Sequence, residues 1–273
     1  MVNSKVSKCL LIILCLFVTG NVFAITWDEL KAQIEAKYGT FSDEIKDMEM
    51  IMESETKGVE GMEGAGPSEI KMYKKGEKFR METKMNMPEG TGMPPGMGEM
   101  KNIIIFDGKD TWTINQFTGK QKLPSDADSP MKGRISWWED LPENGKIIGS
   151  EKVGDRDCYI VEAWSKENKD DKIKGWVDKN ALLLIQMEFQ GGEGKTFKVV
   201  NSDFKKVEKW EMPYTIEVFS GGKLMTKTII KTLNINQGLS DDLFDADKVK
   251  METTGMPGMP NMKDMMKNFK PRQ

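Results

Sequence analysis

The chain has 273 residues, with 40 Lys and Arg against 43 Asp and Glu, and it contains no histidine. The missing histidine excludes catalysis by a Ser-His or Cys-His pair and every metal site that is ligated by histidine. The net charge of −3 gives no electrostatic support for nucleic-acid binding. With 38% hydrophobic and 30% charged residues the chain is expected to fold, and the composition favours a binding protein over an enzyme.

The first 24 residues have the pattern of a cleaved secretory signal. Two lysines precede an apolar run from Cys9 to Val18, and Val22-Phe23-Ala24 supplies the small or branched residues of a cleavage site after Ala24. The apolar run, about ten residues long, is too short for a transmembrane helix. Neither cysteine of this segment follows a small residue, as a lipoprotein signal would require. We therefore predict a soluble periplasmic protein in which Cys158 is the one remaining cysteine, so that no intramolecular disulfide forms.

A short helix is predicted to open the mature chain, and strands are predicted to follow it. Thr26 and Glu29 have the spacing of a capping box, and apolar residues recur at helical spacing until Gly39. Beyond it the apolar period changes from 3.6 to 2, which is typical of antiparallel strands with one wet face. The alternating apolar residues are Met48, Met50 and Met52; Ile70 and Met72; Phe79, Met81 and Met85; Ile185, Met187 and Phe189; and Tyr214, Ile216 and Val218.

Glycine-containing turns separate these runs, as the loops of β-hairpins do. They lie at residues 75–76, 107–109, 191–194 and 221–222. We expect roughly ten to twelve strands in simple meander order. Residues 133–140 are the remaining helical candidate. Adjacent side chains point apart, so one of Trp137 and Trp138 is expected in the core and the other partly covered, and Cys158 is expected to be buried.

Two segments fall outside the alternating pattern. Residues 85–100 and 251–260 are rich in Gly, Pro and Met, which is typical of mobile segments. No linker interrupts the stretch between the signal peptide and the second of these segments. We therefore predict three parts: a signal peptide (1–24), one domain (25–247) and a mobile tail (248–273).

Several short motifs follow one another in a characteristic order. Residues 102–121 consist of an apolar strand, an Asp-Gly-Lys turn and a return strand that carries Trp112. The others are KGEKFR (75–80), GDRDCY (154–159), KGWVDKN (174–180) and LSDDLF (239–244). As an ordered set, these motifs resemble the LolA-like periplasmic lipoprotein carriers, a family of outer-membrane lipoprotein-sorting proteins. The resemblance covers most of the predicted domain.

The resemblance implies a mainly β (α+β) fold, in which a strongly curved antiparallel sheet forms an unclosed half-barrel with the N-terminal helix and short lid helices at its mouth. It also implies a concave apolar face that receives the acyl chains of a lipid or lipoprotein. Envelope membrane proteins are a further class of partner, and no cofactor is expected. The residues expected to line the hydrophobic cavity are Met48, Met50, Met52, Met72, Phe79, Met81, Trp112, Ile114, Met187 and Phe189.

Three functions stay open at this point. The methionine-rich face suits either a core or an adaptable pocket, so a lipid carrier and a structural envelope protein with a filled core are both compatible with it. The third is a Cu(I)-binding envelope protein, because Met85-Asn86-Met87 and Met256-Pro257-Gly258-Met259 have spacings suited to thioether ligation. No His or Cys lies beside these methionines, and no Asp or Glu falls in a catalytic motif. We therefore predict neither a metal site nor an enzymatic activity, and favour the carrier.

Overall fold

The structure, a computed structural model, describes residues 25–57, 66–86, 98–124, 137–166 and 172–251. The predicted signal peptide, residues 87–97 of the Met-rich loop and residues 252–273 of the tail lie outside these ranges. None of the helices in the described ranges is long and apolar enough to cross a membrane.

The described chain forms two N-terminal helices and a sheet of thirteen strands. The helices are α1 (Trp27–Tyr38) and α2 (Phe41–Glu44). The strands are β1 (Asp47–Thr56), β2 (Ser68–Lys75), β3 (Lys78–Asn86), β4 (Glu99–Phe106), β5 (Thr111–Asn115), β6 (Gly119–Lys122), β7 (Asn144–Val153), β8 (Arg156–Trp164), β9 (Ile173–Asp178), β10 (Leu184–Gln190), β11 (Thr196–Val207), β12 (Trp210–Ser220) and β13 (Lys223–Ile235). Single 3₁₀ turns are formed by Trp137–Asp140, Gly192–Gly194 and Asp241–Phe244.

The N-terminal helix begins at the predicted capping box. The Thr26 hydroxyl accepts a hydrogen bond from the Glu29 amide (3.2 Å), and the Glu29 carboxylate accepts one from the Thr26 amide (2.8 Å). The Thr26 amide and the Thr26 hydroxyl (3.0 Å) both donate to this carboxylate and lower the pKa of Glu29, because they stabilise its charged form. The helix ends where predicted, with Gly39 as its C-cap.

The strand order shows how the sheet stays open. Across the sheet the order is β6-β5-β4-β3-β2-β1-β13-β12-β11-β10-β9-β8-β7, and every paired neighbour is antiparallel. Strands consecutive in the chain are neighbours everywhere except at β6 and β7, which form the two edges. The sheet is thus a series of hairpins in which the first strand, β1, pairs with the last, β13, and it is open between β6 and β7. The predicted unclosed half-barrel is therefore confirmed. The sheet has thirteen strands rather than roughly ten to twelve, and the predicted meander order holds except that β6 and β7 are not neighbours while β1 pairs with β13. All four predicted turns lie between paired strands.

The core lies between the N-terminal helices and one face of the sheet, which we call the inner face. Met48 and Met50 on β1 belong to the same buried cluster as Leu30 and Ile34 on α1. A group of aromatic rings closes the layer: Tyr38 stacks on Trp138 with ring centroids 4.6 Å apart, and Phe41 meets Trp210 edge-on at 5.0 Å. Trp138 and Cys158 are buried and Trp137 is half-buried, as predicted.

Gly145 on β7 allows α1 to approach the sheet closely. The indole of Trp27 lies over this residue, so a Cβ added there would come within 2.9 Å of the ring. The ring is held in place because its Nε1 donates to the carbonyl of Pro142 (3.2 Å). A side chain at residue 145 therefore has to displace a packed indole.

We expect Gly145→Ala to lower the free energy of unfolding by about 1–3 kcal/mol through this overpacking. Gly149→Ala is the matched control on the same strand, because its added Cβ would meet the Ile160 side chain at an ordinary 3.7 Å. Urea unfolding followed by circular dichroism measures both variants. Equal stability of the two would show that Trp27 does not need the space above residue 145.

Asp178 organises the turn after β9, on which α1 rests. Its carboxylate accepts hydrogen bonds from the amides of Asn180 (2.8 Å) and Ala181 (2.6 Å). It also forms an ion pair with Arg156 (3.1 Å). Burial by itself would raise the pKa of Asp178, but these donors outweigh it and the pKa is lowered. The Ala181 carbonyl in turn accepts from the Tyr38 hydroxyl (2.9 Å). The turn therefore ties the helix to the sheet.

A lowered folded-state pKa means that Asp178 stabilises the fold above its unfolded value of about 3.9, and that this contribution is lost as the pH falls through the folded value. We expect Asp178→Asn to reduce stability at pH 7 and to weaken the dependence of stability on pH below about pH 4. Urea unfolding at pH 7, 4 and 3 tests this, with Asp155→Asn at an exposed turn position as control. Parallel pH profiles for wild type and Asp178→Asn would contradict the assignment.

The chain after β13 covers part of the opposite, outer face. Phe244 and Ala246 are buried against Ile103, Ile105 and Ile114 of β4 and β5, forming a second cluster. The 3₁₀ turn in this segment is fixed by ion pairs from Asp241 to Lys75 (3.2 Å) and Lys78 (2.7 Å), and by Arg80, which donates to the carbonyl of Leu243 (2.7 Å). The outer face of β4 is therefore covered by the chain's own segment after β13.

Candidate functional site

Charge separates the two faces of the sheet. Along β1 to β6, β12 and β13, the register places uncharged described residues on the inner face, with Lys74 and, at the tip of the β12–β13 hairpin, Lys223 as exceptions. The outer face of the same strands carries ion pairs, such as Lys227 with Glu217 (3.0 Å) and Lys84 with Glu99 (2.6 Å). Water can solvate the outer face, whereas the inner face offers apolar contact.

A row of methionines crosses the inner face. Met50 lies opposite Met72, Met72 lies opposite Met81, and the row continues to Leu233 on one side and Ile104 on the other. Directly opposed residues of antiparallel strands have Cβ atoms about 4.5–5.5 Å apart, so these side chains form a continuous apolar band. The alternation of methionines in the sequence predicts this shared face.

The helices cover only one part of this band. Met48 and Met50 are 1% and 4% exposed, whereas Met52, Met72 and Met81 are half-buried. Two isoleucines beside them are half-buried as well. We call this uncovered area the methionine strip, consisting of Met52, Ile70, Met72, Met81 and Ile104. The inner face is therefore a filled core beneath the helices and an accessible apolar surface beyond them.

The other half of the sheet adds apolar residues to the inner face. Met187 and Phe189 on β10 lie opposite Val199 and Phe197 on β11, and the two phenyl rings stack with centroids 5.6 Å apart. All four side chains are half-buried. Met187 and Phe189 thus lie on the same face as the methionine strip, but on the other half of the sheet, from which it is separated by β11, β12 and β13.

The structure separates Trp112 and Ile114 from the methionines. Trp112 lies opposite Ile105, its Nε1 donates to Asp107 (3.0 Å), and both Trp112 and Ile114 pack in the second cluster on the outer face. They were expected to line the same cavity as the methionines, but they lie on the opposite face of the sheet. The reason for the misassignment is that residues 103–106 are apolar on both faces, so alternation does not show which side faces inward. Phe79 has the inward register of Met81 and is buried, 2% exposed.

Sequence reasoning missed three residues of this surface. Ile104 was hidden in a continuous apolar run, whereas Ile70 was recognised in its strand but not assigned to the cavity. Lys74 was also missed, although it lies two positions from Met72 and so shares its face. Side chains two positions apart along a strand point to the same face, and this alternation along β2 was the sequence signal that could have identified Lys74.

Outside the inner face, two cavities of about 590 and 260 Å³ lie side by side on the outer face, next to residues 248–251. Their shared lining combines Ile103 and Met251 with the charged residues Glu82 and Lys101. Lys101 is paired with Glu99 (2.9 Å), and Glu82 with Arg80 (2.8 Å). These charged walls do not suit an acyl chain.

The described residues contain no group of three or more His, Cys, Asp or Glu side chains that could hold a metal ion. Both motifs considered for Cu(I) include residues outside the described ranges, namely Met87, Met256 and Met259. The expected absence of a metal site thus stays a prediction.

Comparison with known proteins bears on the fold. A family model described as "Uncharacterized protein" matches residues 139–251, and no curated protein sequence matches the chain. A DUF1329 family protein from Desulfovibrio piger is similar in structure, with a TM-score of 0.55 and 16% identity over 81% of this chain and 97% of that one. A putative outer membrane lipoprotein-sorting protein domain from Vibrio parahaemolyticus has a TM-score of 0.53 and 16% identity, over 80% of this chain and 96% of that one. A LolA superfamily protein from Nitrosomonas europaea has a TM-score of 0.52 and 14% identity, over 83% of this chain and 100% of that one. The chain therefore has the LolA-like fold that its sequence motifs imply.

Proposed function

We propose that the protein is an exported, periplasmic carrier that binds a lipid or lipoprotein and shields its acyl chains on the inner face. The observation that carries this proposal is the methionine strip, an uncharged apolar surface left half-buried beside a fully packed core. Each CH₂ group exposed to water costs about 0.8 kcal/mol, so an acyl chain gains greatly by lying on such a surface.

The choice of methionine supports cargo binding over a purely structural role. A core selected for rigidity would favour β-branched and leucine side chains, which fix one shape. Met52, Met72 and Met81 are unbranched and polarisable, so they can adapt to a chain that slides or bends. A carrier must also release its cargo, and the residues of the methionine strip permit this because they offer the acyl chain no charge and no fixed hydrogen bond.

The fold is compatible with such a role. One of the similar structures is described as a lipoprotein-sorting domain, and another as a member of the LolA superfamily. At 14–16% identity these likenesses concern the fold, so they support the proposal without assigning a ligand. The signal peptide predicted at residues 1–24 agrees with a periplasmic location.

The test is to express the full chain in a Gram-negative host, purify it from the periplasmic fraction and extract bound lipid for mass spectrometry. We expect copurified lipid and saturable binding of a fluorescent fatty acid by the delipidated protein. N-terminal sequencing of the same preparation checks cleavage after Ala24. If the protein carries no copurified lipid and binds no fatty acid, the result would contradict the carrier function and favour a structural envelope protein with a filled interior.

A further inference from the structure

Lys74 is an isolated charge on an apolar surface. It lies on β2, opposite Met48 on one side and Phe79 on the other, both of which are buried. Lys74 itself is half-buried. Within the described part of the chain, no hydrogen bond or ion pair joins Lys74 to another residue. An ammonium group with no acidic partner, set among apolar side chains, can bind an anion without first breaking an ion pair, so this position favours an anion.

Neighbouring lysines show that the chain pairs its cations elsewhere. On the outer face of the same hairpin, Lys71 pairs with Glu69 (3.4 Å), and Lys75 and Lys78 both pair with Asp241 (3.2 and 2.7 Å). No acidic residue occupies a corresponding inner-face position on β1 to β6 in the described ranges. Among the described lysines of β1 to β6, Lys74 is therefore the one without an acidic partner.

The surface beyond Lys74 changes character along the strand. Inward-facing residues of β2 run from Lys74 through Met72 and Ile70 to Ser68, a distance of about 20 Å for six steps of an extended chain. At the far end Ser68 lies opposite Ser54, whose hydroxyl is 3.1 Å from that of Thr228. The inner face thus offers a cation, then an apolar track as long as an extended acyl chain, then hydroxyl groups.

We propose that Lys74 binds the anionic headgroup of a single-chain amphiphile whose acyl chain lies along Met72 and Ile70. This inference rests on the proposed carrier function and adds the ligand class, an acyl chain that ends in a carboxylate or a phosphate. A charge-assisted hydrogen bond from the ammonium group fixes the headgroup, and the methionine strip covers the chain.

The test compares four probes on the delipidated full chain by isothermal titration calorimetry. Palmitate and lysophosphatidylglycerol carry the two kinds of anion, and methyl palmitate and monopalmitoylglycerol are their uncharged controls, without a carboxylate or a phosphate. We expect Lys74→Met to weaken the binding of at least one anionic probe about tenfold and to leave both controls within about twofold, as loss of one charge-assisted hydrogen bond predicts. Lys74→Arg should keep most of the affinity, and Lys71→Met, on the outer face of the same strand, should bind like wild type.

The results separate the possible outcomes. A loss confined to palmitate identifies a fatty acid as the ligand class, and a loss confined to lysophosphatidylglycerol identifies a phosphate headgroup. Equal weakening of the anionic probes and their controls would show that Lys74 acts only through packing, and unchanged binding of every probe would also overturn the inference while leaving the carrier function intact. A wild-type protein that binds none of the four probes would contradict the carrier function itself.

Discussion

Replacing Met72 with glutamate is expected to lower the affinity for a fluorescent fatty acid by at least about tenfold while the protein stays folded. Met72 lies in the middle of the methionine strip, opposite Met50 and Met81, and is half-buried. A carboxylate can therefore reach water in the free protein but would be desolvated beneath an acyl chain, which costs more than the roughly 1.4 kcal/mol that corresponds to a tenfold change. Fluorescence titration measures the affinity, and circular dichroism with thermal unfolding checks the fold.

Met72→Leu is the control for the loss of the thioether. It keeps the apolar volume and should bind within a few-fold of wild type, because swaps of this kind conserve packing. If Met72→Glu folds and binds the fatty acid as tightly as wild type, the acyl chain does not lie on this strip.

Met50→Glu, one strand away in the same row, is expected to abolish the folded state instead. Met50 is only 4% exposed and belongs to the cluster that packs against α1. Removing its buried side chain and placing a carboxylate there should cost about 5 kcal/mol or more. That amount is comparable with the entire stability of a marginal domain, about 5–15 kcal/mol. We expect loss of the cooperative thermal transition, or an insoluble product.

The conservative variant Met50→Leu should keep the cooperative transition and lose less than about 1.5 kcal/mol. A Met50→Glu protein with a wild-type melting temperature would place Met50 beside open space and would move the boundary between core and strip towards α1. The two glutamate variants together therefore locate the edge of the helix-covered core.

The sequence predicted the faces of strands wherever only one face is apolar. The methionines of β1 alternate with Asp47, Glu49 and Glu53, interrupted only by Ile51, so their shared orientation follows from the period of two. The capping box and the glycine turns were equally informative, because each depends on neighbouring residues. These local signals account for α1, the hairpins and the open sheet.

The remaining features depend on distant segments of the chain. Residues 103–106 are apolar on both faces because the segment after β13 covers the outer face, and nothing in β4 itself shows this. Trp112 and Ile114 were misplaced for that reason. The division of the methionine row into a covered and an uncovered part likewise depends on which strand residues join the buried cluster of helices and aromatic rings, which cannot be obtained from the alternation of β1.

The pairing of β1 with β13 has a consequence for how the protein folds. Met48 lies opposite Ile235 and Thr56 opposite Thr226, so the first strand completes its ladder with the last. The two runs of hairpins, β1–β6 and β7–β13, can each form from near neighbours, whereas joining them requires closing a loop of almost the whole domain. In the described ranges no ladder joins β6 to β7, so β1 and β13 form the one connection between the two halves of the sheet. The inner face is therefore completed only after β13 has been synthesised, when the two ends of the domain meet.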